Sequence, residues 1–133
     1  MSTTARQIKL RQVLVIEDDA AMREMIATSL RMRGFFVREA ADGLAGLRLL
    51  EAYEPDVVVL DLGLPIASGF DVMKELRAVV STRMTPVIAI SGFDDQLKQA
   101  KDSPDFIAAL SKPFEPESLI RAVERVTTPG PVV

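Results

Sequence analysis

The sequence predicts an α/β fold: a five-stranded parallel sheet with helices on both faces. Three observations predict it. Short apolar runs recur and alternate with segments whose apolar residues fall at helical spacing, which makes five strand–helix pairs. The run VLVI at 13–16 is continuously apolar, and VVVL follows Asp56 in the same manner, as strands covered on both faces do. Gly and Pro mark several of the junctions, at Gly34, Gly43, Pro55, Pro86 and Pro116.

Each element follows from local chemistry. The first strand is expected at 13–16. A helix over 20–33 carries Met22, Met25, Ile26 and Leu30 on one face, and Gly34 is placed to end it. A short strand at 35–38 comes next. The Asp42-Gly43 turn signal then opens a helix over 44–52. The stretch 56–60 is the clearest strand, because β-branched side chains suit a pleated surface. Val72, Met73, Leu76, Val79 and Val80 mark a third helix by their spacing. Pro86 leads into a strand at 87–90. A polar, weakly patterned helix is expected over 94–101, followed by a turn cluster at 102–105. The last strand is expected at 107–110. Pro116 suits the first turn of a final helix bearing Leu119, Ile120, Val123 and Val126. The domain is expected to span 12–126, with loose arms at 1–11 and 127–133.

Composition narrows the chemistry. The chain has 133 residues, 48% hydrophobic and 26% charged, with net charge −3. That is enough to bury a core without staples, and it supplies no basic field for nucleic acid or anionic lipid. It contains neither Cys nor His. Disulfides, thiolate nucleophiles, Cys- or His-ligated metals and His bases are therefore absent from these residues. What remains is carboxylates, Lys, Arg, hydroxyls and a hard, oxygen-liking ion. No apolar run approaches the roughly 18 residues of a membrane span, and the polar start lacks a signal peptide's apolar stretch. A cytoplasmic location is expected, with no membrane insertion and no nucleic-acid partner.

Ligands of open parallel sheets sit beyond the carboxyl ends of the strands. Here those ends carry Glu17-Asp18-Asp19, Asp61, Ser91, and Ser111-Lys112-Pro113. Carboxylates gathered in one cleft repel one another unless a cation intervenes. Mg²⁺ would resolve that repulsion while binding phosphate oxygens. Asp can act as a nucleophile toward phosphorus, Lys pairs with phosphate as a point charge, and a Ser hydroxyl can donate to a phosphoryl oxygen. Taken singly, each feature has a plainer reading. The acidic triplet could be a helix cap, Ser91-Gly92 a turn, and Lys112 a surface cation.

The motifs read together are more specific. VLVIEDDAAMRE, DVVVLDLGLPIASGFDVMKELR, TPVIAISG and SKPF follow in that order. Pro65 and Gly69 stand four and eight residues after Asp61, Ser91 thirty and Lys112 fifty-one. From about Gln12 to Val126 the chain resembles the receiver domain of bacterial two-component response regulators, of the stand-alone type. The resemblance implies a flavodoxin-like sheet of order 2-1-3-4-5. It implies Asp61 as the phosphoacceptor. It implies Mg²⁺, or Mn²⁺ in its place, held by Glu17, Asp18, Asp61 and the backbone carbonyl of Gly63, with Arg23 setting the register and Asp19 outside the pair. Ser91 becomes the switch hydroxyl and Lys112 the phosphate partner. The Lys112-Pro113 bond is then expected to be cis, which only X-Pro adopts cheaply.

Two departures from the family pattern stand out. Ala109 occupies the place of the usual Tyr, Phe or His three residues before the Lys, so no ring can swing inward there. Phe106 sits three residues too early to replace it. The segment between Ser91 and Lys112 is polar, and a mobile fourth helix is expected. Gly63 and Phe93 follow Asp61 and Ser91 by two residues, positions that influence self-dephosphorylation in the family. Gly63 offers no group to orient a water, and Phe93 can shade an acyl phosphate, so a long-lived phosphoryl group is expected.

The function implied is a phosphoacceptor regulator. It would take a phosphoryl group in a Mg²⁺-dependent self-phosphorylation from a histidine kinase or His phosphotransfer protein and lose it slowly. Seven residues follow Val126, so output is expected through protein–protein contact or a phosphate relay. The alternative is a receiver-like interaction module that works independently of phosphorylation, a reading Ala109 supports. A phosphohydrolase with an Asp nucleophile fits less well, because the Asp-x-Asp such enzymes use is Asp61-Leu62-Gly63 here.

Overall fold

A computed structural model of the chain describes residues 11–127. The arm expected over 1–11 and the tail over 127–133 lie outside the described residues, except for Arg11 and Thr127. The elements alternate strictly: β1 (Gln12–Ile16), α1 (Ala20–Arg31), β2 (Phe36–Ala40), α2 (Gly43–Tyr53), β3 (Val57–Asp61), α3 (Gly69–Ala78), β4 (Val87–Ser91), α4 (Asp94–Lys101), β5 (Ala108–Ser111) and α5 (Pro116–Thr127). All strand pairs are parallel, in the order β2-β1-β3-β4-β5. This is the flavodoxin-like arrangement, with its crossing point beside β1 and β3.

The continuously apolar runs serve two cores at once. Leu14, Ile16, Val58, Leu60, Val87 and Ala89 face one side, with Leu50 of α2 and Val72, Met73 and Leu76 of α3. Val13, Val15, Val57, Val59, Ile88 and Ile90 face the other, with Ile26 and Leu30 of α1 and Leu119, Ile120 and Val123 of α5. Successive strand residues point to opposite faces, so a strand covered twice needs apolar side chains at every position.

Several boundaries differ from expectation. α1 ends at Arg31 rather than 33, because the chain turns at Gly34 with φ of +89° and the Phe35 amide bonds back to the Leu30 carbonyl. β2 runs from Phe36 to Ala40 rather than 35–38, since Ala40 pairs with Ile16. β5 begins at Ala108, leaving Ile107 exposed. α3 stops at Ala78, so Val79 and Val80 are not helical. The Thr82 hydroxyl, itself buried, donates to the Leu76 carbonyl at 2.7 Å, and the Thr82 and Arg83 amides both bond to the Val79 carbonyl. These bonds capture carbonyls that a longer helix would have used.

α4 forms over the residues expected for it and anchors through Leu97 and Ala100. At the β2 edge, the Arg38 guanidinium lies 3.6 Å from the Tyr53 ring centroid and 4.6 Å from that of Phe36. No helix among the described residues is long and apolar enough to cross a membrane.

Candidate functional site

The carboxyl ends of β1, β3, β4 and β5 meet along one rim of the sheet. β3 places Asp61 there because its register sets Asp61 beside Ile90, one residue before Ser91. The bend after β3 is tight. A Cβ on Gly69 would stand 2.5 Å from the Asp61 carbonyl oxygen and 2.6 Å from the Leu62 Cα, so only Gly lets α3 start this close to the acidic residue. Ser68 and Asp71 close a capping box at that helix start.

β1 delivers the acidic triplet, and the three side chains divide the work. Asp19 caps α1, accepting from the Ala21 amide at 3.3 Å. Glu17 is fully buried, and its Oε2 accepts from the Asp19 amide at 3.2 Å. Arg23 donates to the Glu17 carbonyl at 2.9 Å and pairs with Glu39, so it braces the turn from the far side. Asp18 is exposed at the rim. One carboxylate oxygen each from Glu17, Asp18 and Asp61 lie within 4.8 Å of one another.

Lys112 enters from β5, before a cis bond to Pro113. Its Nζ lies 2.5 Å from Glu17 Oε1 and 3.4 Å from Asp61 Oδ2. The first contact pairs the charges without directed hydrogen-bond geometry, so Glu17 Oε1 is a buried oxygen with no aligned donor among the described residues. Burial and the closely placed Asp61 carboxylate push the Glu17 carboxyl up to about 7, although Lys112 pulls it back. Burial alone would lower the Lys112 ammonium, but its pairing with Glu17 and the charge of Asp61 outweigh that and raise it. A buried oxygen with a charge partner but no aligned hydrogen bond, among three close carboxylates, is an environment that a hard divalent cation suits. The donor set is all oxygen, which suits Mg²⁺ or Mn²⁺ and not a thiophilic metal.

Asp61 Oδ1 accepts from the Gly63 amide at 3.0 Å. Around Gly63 there is room: a Cβ there would meet Phe93 Cε2 at 3.5 Å and Gln96 Oε1 at 3.8 Å, ordinary contact distances. The Phe93 ring thus stands over the acidic cleft while remaining 61% exposed.

Ser91 is buried, but its hydroxyl is engaged away from Asp61. It donates to Gln96 Oε1 at 2.6 Å and accepts from the Phe93 amide at 3.0 Å. Ala109 pairs with Ala89 in the sheet and is half-buried against the α2–α4 side of the core. Phe106 is buried on that same side, edge-on to Phe70 with ring centroids 5.8 Å apart.

The structure thus brings Glu17, Asp18, Asp61 and Lys112 into one cluster, with Gly63 against Asp61. Ser91 stands beside the cluster, bonded elsewhere. Sequence reading missed Gln96. Its one signal is its place in the first turn of α4, five residues past Ser91.

The comparisons with known proteins agree with this geometry. A model of the response regulator receiver domain family matches residues 13–124. The transcriptional regulatory protein PdtaR of Mycobacterium tuberculosis is 36% identical over 117 residues, which covers 86% of this chain and 55% of that protein. The phosphate regulon transcriptional regulatory protein PhoB of Escherichia coli K12 is 32% identical over 120 residues, covering 87% of this chain and 51% of that protein. The chain spans about half the length of these curated relatives. Among solved structures, the chemotaxis response regulator CheY4 of Vibrio cholerae superposes with a TM-score of 0.80 at 28% identity, covering 89% of this chain and 99% of that one. A CheY-like receiver domain from Methylobacillus flagellatus gives 0.79 at 32% identity, with coverage of 89% and 99%. With the family model spanning nearly all of the folded residues, the chain belongs to the receiver domains of two-component response regulators.

Proposed function

We propose that Asp61 accepts a phosphoryl group from a phosphohistidine of a histidine kinase or His phosphotransfer protein. The observation that carries this reading is the cluster itself: three carboxylates within 4.8 Å of one another, with one ammonium reaching two of them. None of the 133 residues is His, so the donor imidazole is not among them. A carboxylate oxygen of Asp61 attacks phosphorus in line. The new P–O bond forms as the P–N bond breaks, the bonding pair stays on the ring nitrogen, and a proton on the other ring nitrogen leaves the imidazole neutral.

Glu17, Asp18, Asp61 and the Gly63 carbonyl would hold Mg²⁺, or Mn²⁺, which when bound offsets the negative charge of the phosphoryl oxygens. Lys112 places its ammonium against the same oxygens as a point charge. The Ser91 hydroxyl supplies a donor once it turns toward them. Gly63 adds no polar side chain to orient water, and Phe93 covers the approach, so the acyl phosphate persists. Output passes by protein–protein contact.

Ala109 favours a second reading, a module whose contacts do not depend on phosphorylation. Incubation with Mg²⁺ and acetyl phosphate, followed by intact mass measurement, separates the two. Gain of one phosphoryl group, absent in Asp61→Asn, supports the first. Absence of any gain while Mg²⁺ still binds supports the second.

A further inference from the structure

The Ser91 hydroxyl has one proton, and in this structure Gln96 holds it at 2.6 Å, with the Phe93 carbonyl a longer alternative at 3.4 Å. The Gln96 bond is short and comes from the first turn of α4. That helix has no other anchor of this kind at its start, because its N-cap residue, Phe93, makes no side-chain capping bond. The Ser91 oxygen instead accepts the Phe93 amide at 3.0 Å. One hydroxyl therefore organises the entry to α4 through both its donor and its acceptor sides. The Gln96 amide oxygen also borders the acidic cleft. A Cβ on Gly63 would stand 3.8 Å from it and 3.6 Å from Asp61 Oδ1, so both oxygens flank one small space.

We propose that Gln96 is a positioning residue that competes with the phosphoryl group for the Ser91 proton and so couples phosphorylation to the first turn of α4. The inference rests on Asp61 as phosphoacceptor and adds the part of Gln96 in holding the Ser91 hydroxyl at rest. In the resting state the hydroxyl donates to Gln96. When a phosphoryl oxygen arrives, the same proton turns to the stronger, charged acceptor. Gln96 is then left without its donor, and the start of α4 keeps only the bond from the Phe93 amide to the Ser91 oxygen. A ring at position 109 has no part in this route, which suits a chain with Ala109 there.

The test uses the full chain with Mg²⁺ and acetyl phosphate, following label uptake by intact mass. Gln96→Leu and Gln96→Met remove the nearer acceptor at a half-exposed position, leaving only the longer contact to the Phe93 carbonyl. Each is expected to take up label about fivefold faster than wild type, equivalent to ~1 kcal/mol of transition-state stabilisation. In a Ser91→Ala background neither is expected to change the rate. Hydrogen exchange at the Phe93 and Leu97 amides of unlabelled Gln96→Leu should match that of labelled wild type. A merely structural Gln96 would slow uptake or leave it unchanged in the variants. That result, or acceleration persisting without the Ser91 hydroxyl, overturns the coupling alone. Wild type that takes up no label overturns the phosphoacceptor reading and this inference together.

Discussion

The buried Glu17 carboxyl makes the metal-free protein less stable as pH rises, opposite to the usual carboxylate. An unfolded Glu loses its proton near 4.5, whereas folded Glu17 keeps it to about 7. Between those values the folded state binds more protons than the unfolded state. Its stabilising contribution is therefore full below about 4.5 and is lost as pH climbs through 7. A displacement of that size amounts to at most about 3 kcal/mol, of which roughly 2 kcal/mol is lost between pH 5 and pH 8. For a domain of this length the melting temperature should fall by roughly 8 °C between pH 5 and pH 8 in chelator. Glu17→Gln removes the titration without changing the shape. It should melt with wild type at pH 5, above it at pH 8, and respond less to Mg²⁺. In wild type the Mg²⁺-induced rise should grow with pH, because the cation needs the ionised carboxylate. Calorimetric scans of both proteins at the two pH values, with chelator and with Mg²⁺, supply the comparison. A chelated wild type whose melting point is flat or rising from pH 5 to 8, or a Glu17→Gln protein with the same slope, would refute the reasoning.

Gly69→Ala drives a methyl into the Asp61 carbonyl and the Leu62 Cα, and backbone cannot yield as a flexible side chain does. Urea unfolding should show a loss of about 2–4 kcal/mol, with acetyl phosphate uptake reduced in parallel. Phe93→Ala uncovers the acidic cleft, and Gly63→Asn places an amide where the contacts leave room for a Cβ. Each should shorten the lifetime of radiolabelled phosphoprotein, and the double variant should shorten it more. Unchanged decay in all three would remove both residues from the account of phosphoryl lifetime. α4 buries only Leu97 and Ala100, whereas β1, β3 and β4 are buried almost throughout. Its amides should exchange at least about tenfold faster than those strands' by mass-spectrometric hydrogen exchange.

The parts of this fold open to sequence reading are those where burial dictates residue type. β1, β3 and β4 are covered on both faces, so each carries an unbroken apolar run rich in β-branched residues. Their ends then located Glu17, Asp61 and Ser91 through topology, and the 2-1-3-4-5 order followed from the resemblance. What stayed hidden depends on single bonds across a turn. Val79 and Val80 carry a helical spacing, yet the Thr82 hydroxyl takes the Leu76 carbonyl and ends α3 before them. Nothing in the spacing of Gly34 says that α1 stops at Arg31 and leaves room for a turn. The orientation of the Ser91 hydroxyl is another such case. Its partner, Gln96, lies on the helix with the weakest apolar pattern, where polar residues carry little information about contacts.

Among the described residues β2 is an outer strand of the sheet, with an aromatic residue in view. Phe36 is 44% exposed and Tyr53 48%. Arg38 spreads its flat cation across both rings, which shields their faces and sets a positive charge where a second molecule's strand would have to add. Intermolecular β-pairing is thereby opposed at this edge. Replacing that guanidinium with a neutral aliphatic group should leave the domain folded yet make concentrated solutions prone to aggregate.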